Sequence, residues 1–132
     1  MTFEESDLAA IAGAREIRME TQSAAGEAHR TIIWVVASGE TVYVRSVDGA
    51  GARWYREATA PGRPAAIHVD GRRLPVALTH ATDDASVAAC SEALTSKYRR
   101  SYSLQSMLLP HTLETTLRVE PVRAADPAEV PA

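Results

Sequence analysis

The stretch Thr31-Ile32-Ile33-Trp34-Val35-Val36-Ala37-Ser38-Gly39-Glu40-Thr41-Val42-Tyr43-Val44-Arg45-Ser46-Val47 decides the class of fold. Its first six residues are apolar on both faces and rich in β-branched side chains, which predicts a strand covered on both sides and therefore central in a sheet. Ser38-Gly39-Glu40 supplies a hairpin turn, and Thr41 to Val47 predicts the next strand, whose run of large residues ends in polar chemistry at Arg45. Two β-rich segments joined by so short a turn imply an antiparallel sheet.

Toward the N-terminus, Glu16 to Thr21 alternates strictly between polar and apolar residues, the pattern of a first strand with one face in a core, and Ser23 to Glu27 reads as a turn. Thr2-Phe3-Glu4-Glu5 has capping-box spacing, with Leu8, Ile11 and Ala12 following at helical intervals and Gly13 as a stop, so residues 1–14 predict a short lid-like helix. Toward the C-terminus, Asp48 to Ala52 reads as a flexible loop, and Arg53 to Ala60 as a short helical segment before Pro61-Gly62. Ala65 to Asp70 and Arg73 to His80 predict a hairpin about Asp70-Gly71, with Ile67, Val69, Leu74, Val76 and Leu78 inward.

Thr82-Asp83-Asp84 offers an N-cap, and Val87, Cys90, Leu94 and Tyr98 share one helical face, which predicts the main helix over about 83–100. Leu113, Thr115, Leu117 and Val119 alternate with Glu114, Thr116, Arg118 and Glu120, giving a last strand that Pro121 ends. Residues 1–123 are expected to form one domain, with the barrel over 15–121, and Ala124 to Ala132 a disordered tail. The expected class is mainly β with two helices: a small six-stranded antiparallel barrel, since closure removes exposed edges.

A formal net charge of -3 and ordinary hydrophobicity are those of a globular domain and argue against a nucleic-acid binder, which needs a basic face. Met1 to Asp7 is acidic, with neither the basic nor the apolar region of a secretory signal, and no apolar run approaches membrane-spanning length. The single cysteine, Cys90, has no disulfide partner, so the cytoplasm is the expected compartment. His29, His68, His80 and His111 stand far apart, with no zinc-type spacing, and no metal site is expected. No G-x-S-x-G elbow occurs, and Asp48-Gly49-Ala50-Gly51 lacks the later glycine of a dinucleotide fingerprint.

Arginine outnumbers lysine thirteen to one, and arginines gather between Arg45 and Arg73. Within Val42 to Glu57, Arg45, Ser46, Arg53, Trp54 and Arg56 combine guanidinium forks, a hydroxyl, loop N–H groups and an aromatic face, the components that hold an anionic ring-bearing ligand. The plainer reading leaves Arg45 and Arg56 on a solvated face, with Trp54 and Tyr55 packed as core. Tyr98, Tyr102 and His111 are the candidate proton donors; Tyr98 shares its helical face with Leu94, which favours core packing, while Tyr102 and His111 sit in the irregular connection from Ser101 onward.

The order TIIWVV (31–36), a glycine turn, VYVRSV (42–47), DGAGARWYREA (48–58) and PAAIHVDGRRLPV (64–76) resembles the split-barrel superfamily of pyridoxamine phosphate oxidase and the deazaflavin-dependent reductases, and within it a small uncharacterised branch. The resemblance spans roughly Glu16 to Pro121. It implies a split barrel, usually a homodimer, with FMN or a deazaflavin as cofactor. It places the cofactor phosphate near Arg45, Ser46, Arg53 and Arg56, with Trp54 in the motif's tryptophan position, and the ring against the second strand at Thr31, Ile33 and Trp34. The chain departs from the deazaflavin reductases at Ala28-His29-Arg30, where they carry a Gly-Arg-x-Ser/Thr-Gly stretch, and at Ala60-Pro61-Gly62, where Asn-Pro is usual.

The resemblance implies an oxidoreductase transferring hydride to a small organic substrate. The departures leave open a cofactor-free cyclase or isomerase using the same cavity on an apolar substrate, and a non-catalytic small-molecule-binding dimer. In each case the expected partner is a small molecule and a second copy, with neither nucleic acid nor membrane.

Overall fold

The computed structural model describes residues 2–122. Among them are seven strands, β1 (Ile17–Gln22), β2 (Ala28–Ile33), β3 (Val36–Ser38), β4 (Thr41–Val44), β5 (Ala65–Val69), β6 (Arg72–His80) and β7 (Leu117–Pro121), and four helices, α1 (Glu5–Gly13), α2 (Arg53–Thr59), α3 (Asp84–Tyr98) and α4 (Pro110–Leu113). The strands form one antiparallel sheet in the order β2-β1-β5-β6-β7-β4-β3. Its two edge strands, β2 and β3, are consecutive in sequence and separated only by Trp34 and Val35. Three peptide steps reach about 11 Å at most, so the ends of the sheet must curl together into a half-barrel. This is the mainly β split barrel that the sequence predicts, with seven strands instead of six and four helices instead of two.

Turn chemistry sets the register where the sequence places it. Asp70 and Gly71 both have positive φ, 51° and 73°, as a type I′ turn requires, and Val69 pairs with Arg72 across it. Ile67 and Val69 point into the core beside Ile17, Met19, Val42, Val44, Leu117 and Val119. Phe3 and Ile11, the latter on α1, seal one flank of that core, and Trp54 and Tyr55 of α2 seal another. A second cluster lies under α3, where Cys90, Leu94 and Tyr98 meet Val36, Tyr43, Leu104 and Met107. The helix starts as expected, the Asp83 carboxylate accepting the Ser86 N–H at 3.1 Å.

Three expectations need correction. Thr31 to Val36 is not one central strand: β2 is an edge strand with Ile32 56% exposed, and the chain leaves it at Trp34. The cause is α3. The Val35 carbonyl accepts from Lys97 Nζ at 2.7 Å and from the Tyr98 hydroxyl at 3.2 Å, while the Val35 N–H donates to that hydroxyl at 3.4 Å. Side chains thus replace the ladder at that residue. Coverage on both faces belongs to β4 instead, where Val42 and Val44 face one cluster and Tyr43 the other.

The last strand begins at Leu117, not Leu113. The hydroxyls of Thr112, Thr115 and Thr116 donate to the carbonyls of Leu109, Thr112 and Leu113 at 2.7, 2.6 and 2.7 Å. Such local bonds hold the backbone in turns that compete with a ladder. The capping box at Thr2 is not formed either; Glu4 occupies the N-cap of α1 without a side-chain bond. The tail expected over Ala124 to Ala132 lies outside the described residues. Among the described residues, no helix is long and apolar enough to cross a membrane.

Candidate functional site

The β3–β4 ladder pairs Val36 with Tyr43. Two residues further in that register Trp34 would oppose Arg45, but the ladder stops at Val36, Trp34 stacks on Tyr98 of α3 and the sheet opens. In that gap lies a cavity of about 280 Å3, just under the usual range for ligand sites, about 300–1,000 Å3. Thr31, Ile32, Ile33 and Trp34 form one wall, Arg45, Val47 and Asp48 a second, and Trp54, Ser103 and Met107 complete it.

Arg45 is the unusual member, only 2% exposed. Its Nε donates to Thr116 Oγ1 at 2.8 Å, one terminal nitrogen to the Met107 carbonyl at 3.2 Å, and the other to the Val87 carbonyl at 2.9 Å. All three acceptors are neutral, and among the described residues no carboxylate lies within ion-pair distance of it. Burial pulls its pKa below the ordinary arginine value, yet a guanidinium stays charged in proteins. A cation in the interior without a counter-ion is costly, and the threonine turn before β7 is what holds it there.

Each wall is braced from behind. Trp34 stacks on Tyr98, ring centroids 3.9 Å apart and planes 6° from parallel. Trp54 is carried by α2, which a buried carboxylate ties to the sheet: Glu57 accepts from Thr21 Oγ1 at 2.8 Å and from His29 Nδ1 at 2.9 Å. Burial pushes the Glu57 carboxyl up, but the bonds from His29 and Thr21 outweigh it and hold the group below its usual range. Strand alternation puts His29 two residues from Thr31 on the same face of β2, so this clamp sits beside the cavity wall.

Of the residues expected to bind a cofactor, Thr31, Ile33, Trp34, Arg45 and Trp54 meet at this cavity. Arg53 and Arg56 are exposed on α2 and do not line it. Ser46 is 1% exposed; its N–H donates to Thr115 Oγ1 at 2.9 Å, and its own hydroxyl has no hydrogen-bond partner among the described residues. Five of the eight residues expected at a cofactor thus line one cavity, while Ser46, Arg53 and Arg56, expected at its phosphate, do not line it.

None of the candidate proton donors lines the cavity. Tyr98 is buried, its hydroxyl donating to the Arg15 carbonyl at 2.6 Å, and burial pushes its pKa up to about 12. Tyr102 is fully exposed. His111 donates from Nε2 to the carbonyl of Val47, a cavity residue, at 2.9 Å. Sequence reasoning missed Val47, Asp48, Ser103 and Met107 as lining and Thr115 and Thr116 as anchors of the Arg45-Ser46 corner. Only the position of Ser103 and Met107 in the irregular 101–110 connection could have signalled them. Among the described residues no group of three or more His, Cys, Asp or Glu could hold a metal ion.

A family model described as "Uncharacterized protein conserved in bacteria (DUF2255)" matches residues 7–119. Among solved structures, the crystal structure of HutZ, the heme storage protein from Vibrio cholerae, aligns with a TM-score of 0.58 at 14% identity, over 94% of this chain and 93% of that one. A conserved hypothetical protein, Rv2991 from Mycobacterium tuberculosis, aligns with a TM-score of 0.57 at 10% identity, over 96% of this chain and 83% of that one. Both share the split-barrel fold with this chain. No curated protein sequence matches it.

Proposed function

For a chain that belongs to the DUF2255 family of bacterial proteins, we propose that the barrel binds a small molecule in the cavity between β2 and the Arg45 corner. The ligand is a planar redox cofactor, FMN or a deazaflavin, and the protein an oxidoreductase acting on a small organic substrate. The observation that carries the reading is the convergence of Thr31, Ile33, Trp34, Arg45 and Trp54 on one cavity. That HutZ, similar in fold, is described as a heme storage protein supports a ligand-holding barrel.

When bound, such a cofactor supplies the hydride chemistry, and the protein supplies binding, orientation and exclusion of water. The β2 wall and the Trp54 ring would hold the ring system, and the clamp of Glu57 on His29 keeps α2 in place behind it. His111, bonded to a rim residue, is the proton donor best placed among the three expected. Ile32, exposed on an edge strand at the cavity mouth, supports a homodimer in which a second copy covers the opening.

Absorbance titration of the purified chain with FMN and, separately, with the deazaflavin tests the reading. A saturable spectral change with one of them, weakened at least tenfold by Trp54→Ala, is the expected result. If neither cofactor binds, the redox reading is wrong.

A further inference from the structure

Trp34 lies between strands, since β2 ends at Ile33 and β3 begins at Val36. A tryptophan on so short a connection has no ladder partner beside it to hold its indole, yet it forms part of the cavity wall. Tyr98 holds it instead. The two rings stand 3.9 Å apart and 6° from parallel, and Tyr98 is only 4% exposed, so one face of the indole rests on a side chain fixed in the core. Tyr98 itself does not line the cavity.

The backbone just after Trp34 is pinned from the same helix, Lys97 Nζ donating to the Val35 carbonyl at 2.7 Å and to the Ile11 carbonyl at 3.4 Å. The opposite wall hangs on that helix too: the carbonyl of Val87, in the first turn of α3, accepts from Arg45 at 2.9 Å. Thus α3 fixes both walls, Arg45 through its first turn and Trp34 through its last residue.

We infer that Tyr98 is the positioning residue of this site: its ring sets the plane of Trp34 in the unliganded protein, and the affinity of the cavity for a flat ring depends on that preset wall. The inference rests on the reading that this cavity receives a planar ligand. It gives Tyr98 no part in proton transfer, because the hydroxyl is already donated to the Arg15 carbonyl. An aromatic side chain left free to turn must be ordered by the ligand, and ordering one such side chain costs up to about tenfold in affinity. The stack removes that cost, since the indole is in place before the ligand arrives.

Lumichrome, the tricyclic ring of a flavin without its phosphate-bearing chain, is the probe. Tyr98→Phe keeps the ring, and Tyr98→Met fills the same space without one. Binding is read by absorbance titration, and motion of the indole by time-resolved anisotropy, with Trp54→Phe leaving Trp34 as the only tryptophan. In the Trp54→Phe chain Trp34 should show no nanosecond rotation before ligand is added, and Tyr98→Met should introduce it. With both tryptophans present, Tyr98→Phe should bind lumichrome within about twofold of the parent although it is less stable, and Tyr98→Met about tenfold more weakly. A merely structural role would lower stability and affinity together in Tyr98→Phe.

Nanosecond rotation of Trp34 in the unliganded Trp54→Phe chain would overturn the inference. This measurement needs no substitution at Tyr98, and so decides even where Tyr98→Met does not fold. Tyr98→Phe binding tenfold more weakly than the parent, Tyr98→Met binding as tightly, or a parent that does not bind lumichrome would each overturn it as well. The cofactor titration separates the two readings. Lumichrome binding that follows Tyr98 as expected, without binding of FMN or the deazaflavin, defeats only the redox reading. Cofactor binding that is unchanged in Tyr98→Met defeats only the positioning role.

Discussion

At the scale of single residues, side chains that look catalytic by type serve as fasteners. Tyr98 stacks on Trp34, and its hydroxyl bridges the Arg15 carbonyl and both backbone groups of Val35. Tyr98→Phe keeps the ring and deletes the bridge, leaving the N–H of buried Val35 without its acceptor. The expected loss is about 1–2 kcal/mol of unfolding free energy, read as a lower urea midpoint with unchanged slope. A midpoint equal to that of the parent would show that the bridge contributes nothing. The sequence placed this ring correctly on the apolar face of its helix, but the partners of the hydroxyl stand more than sixty residues away. Arg45 follows the same rule in reverse. Its type announced a ligand residue, while its burial came from threonines and carbonyls distant in sequence, so nothing local separated it from the exposed Arg53 and Arg56.

Elements were legible where the signal is local and obscure where a distant partner decides. The strand β1, the Asp70-Gly71 turn and the Asp83 cap of α3 all sit where short-range chemistry puts them, although Glu20 and Thr21 are both buried and β1 does not alternate in burial. The run Thr31 to Val36 misled because an apolar stretch carries no mark of the point where Lys97 and Tyr98 will take over its backbone bonds. The connection from β4 to α2, which reads as a flexible glycine loop, is instead docked. Gly49 has φ +76°, and a Cβ there would stand 3.2 Å from His111 Cδ2 and 3.5 Å from the His111 carbonyl oxygen. Gly49→Ala therefore combines a left-handed backbone with displacement of the ring that holds the Val47 carbonyl. Together these should cost about 1–3 kcal/mol. Gly51, in the same turn, has open space around its Cα, so Gly51→Ala is the control and should change stability little. Equal thermal melting of the two variants would show that the docking contributes nothing.

For the whole molecule, the order of the sheet could not be read from the chain, because alternation reports which face is buried and not which strand lies alongside. That order brings β2, β1, β5 and β6 side by side and gathers Arg30, His68 and Arg73 around one carboxylate. Glu20 on β1 meets Arg73 at 2.8 Å, His68 at 2.7 Å and Arg30 at 3.8 Å. The hydrogen bonds from Arg73 and His68 hold its carboxyl at about 2, well below the ordinary value of 4.5. Unfolded chain therefore takes up a proton at a pH where folded chain does not, and the linkage makes stability fall as the proton concentration rises. The contribution of Glu20 is complete above about pH 5 and is lost progressively as pH drops toward 2. Since the Arg73 side chain is half exposed, solvent screening reduces the effect to roughly 1–2 kcal/mol. Urea midpoints measured from pH 7 to pH 3 should fall for the parent protein, and Glu20→Gln should start lower at pH 7 and fall less. Parallel curves for the two proteins would mean that the four strands do not depend on this carboxylate, and that their alignment rests on the core beneath them alone.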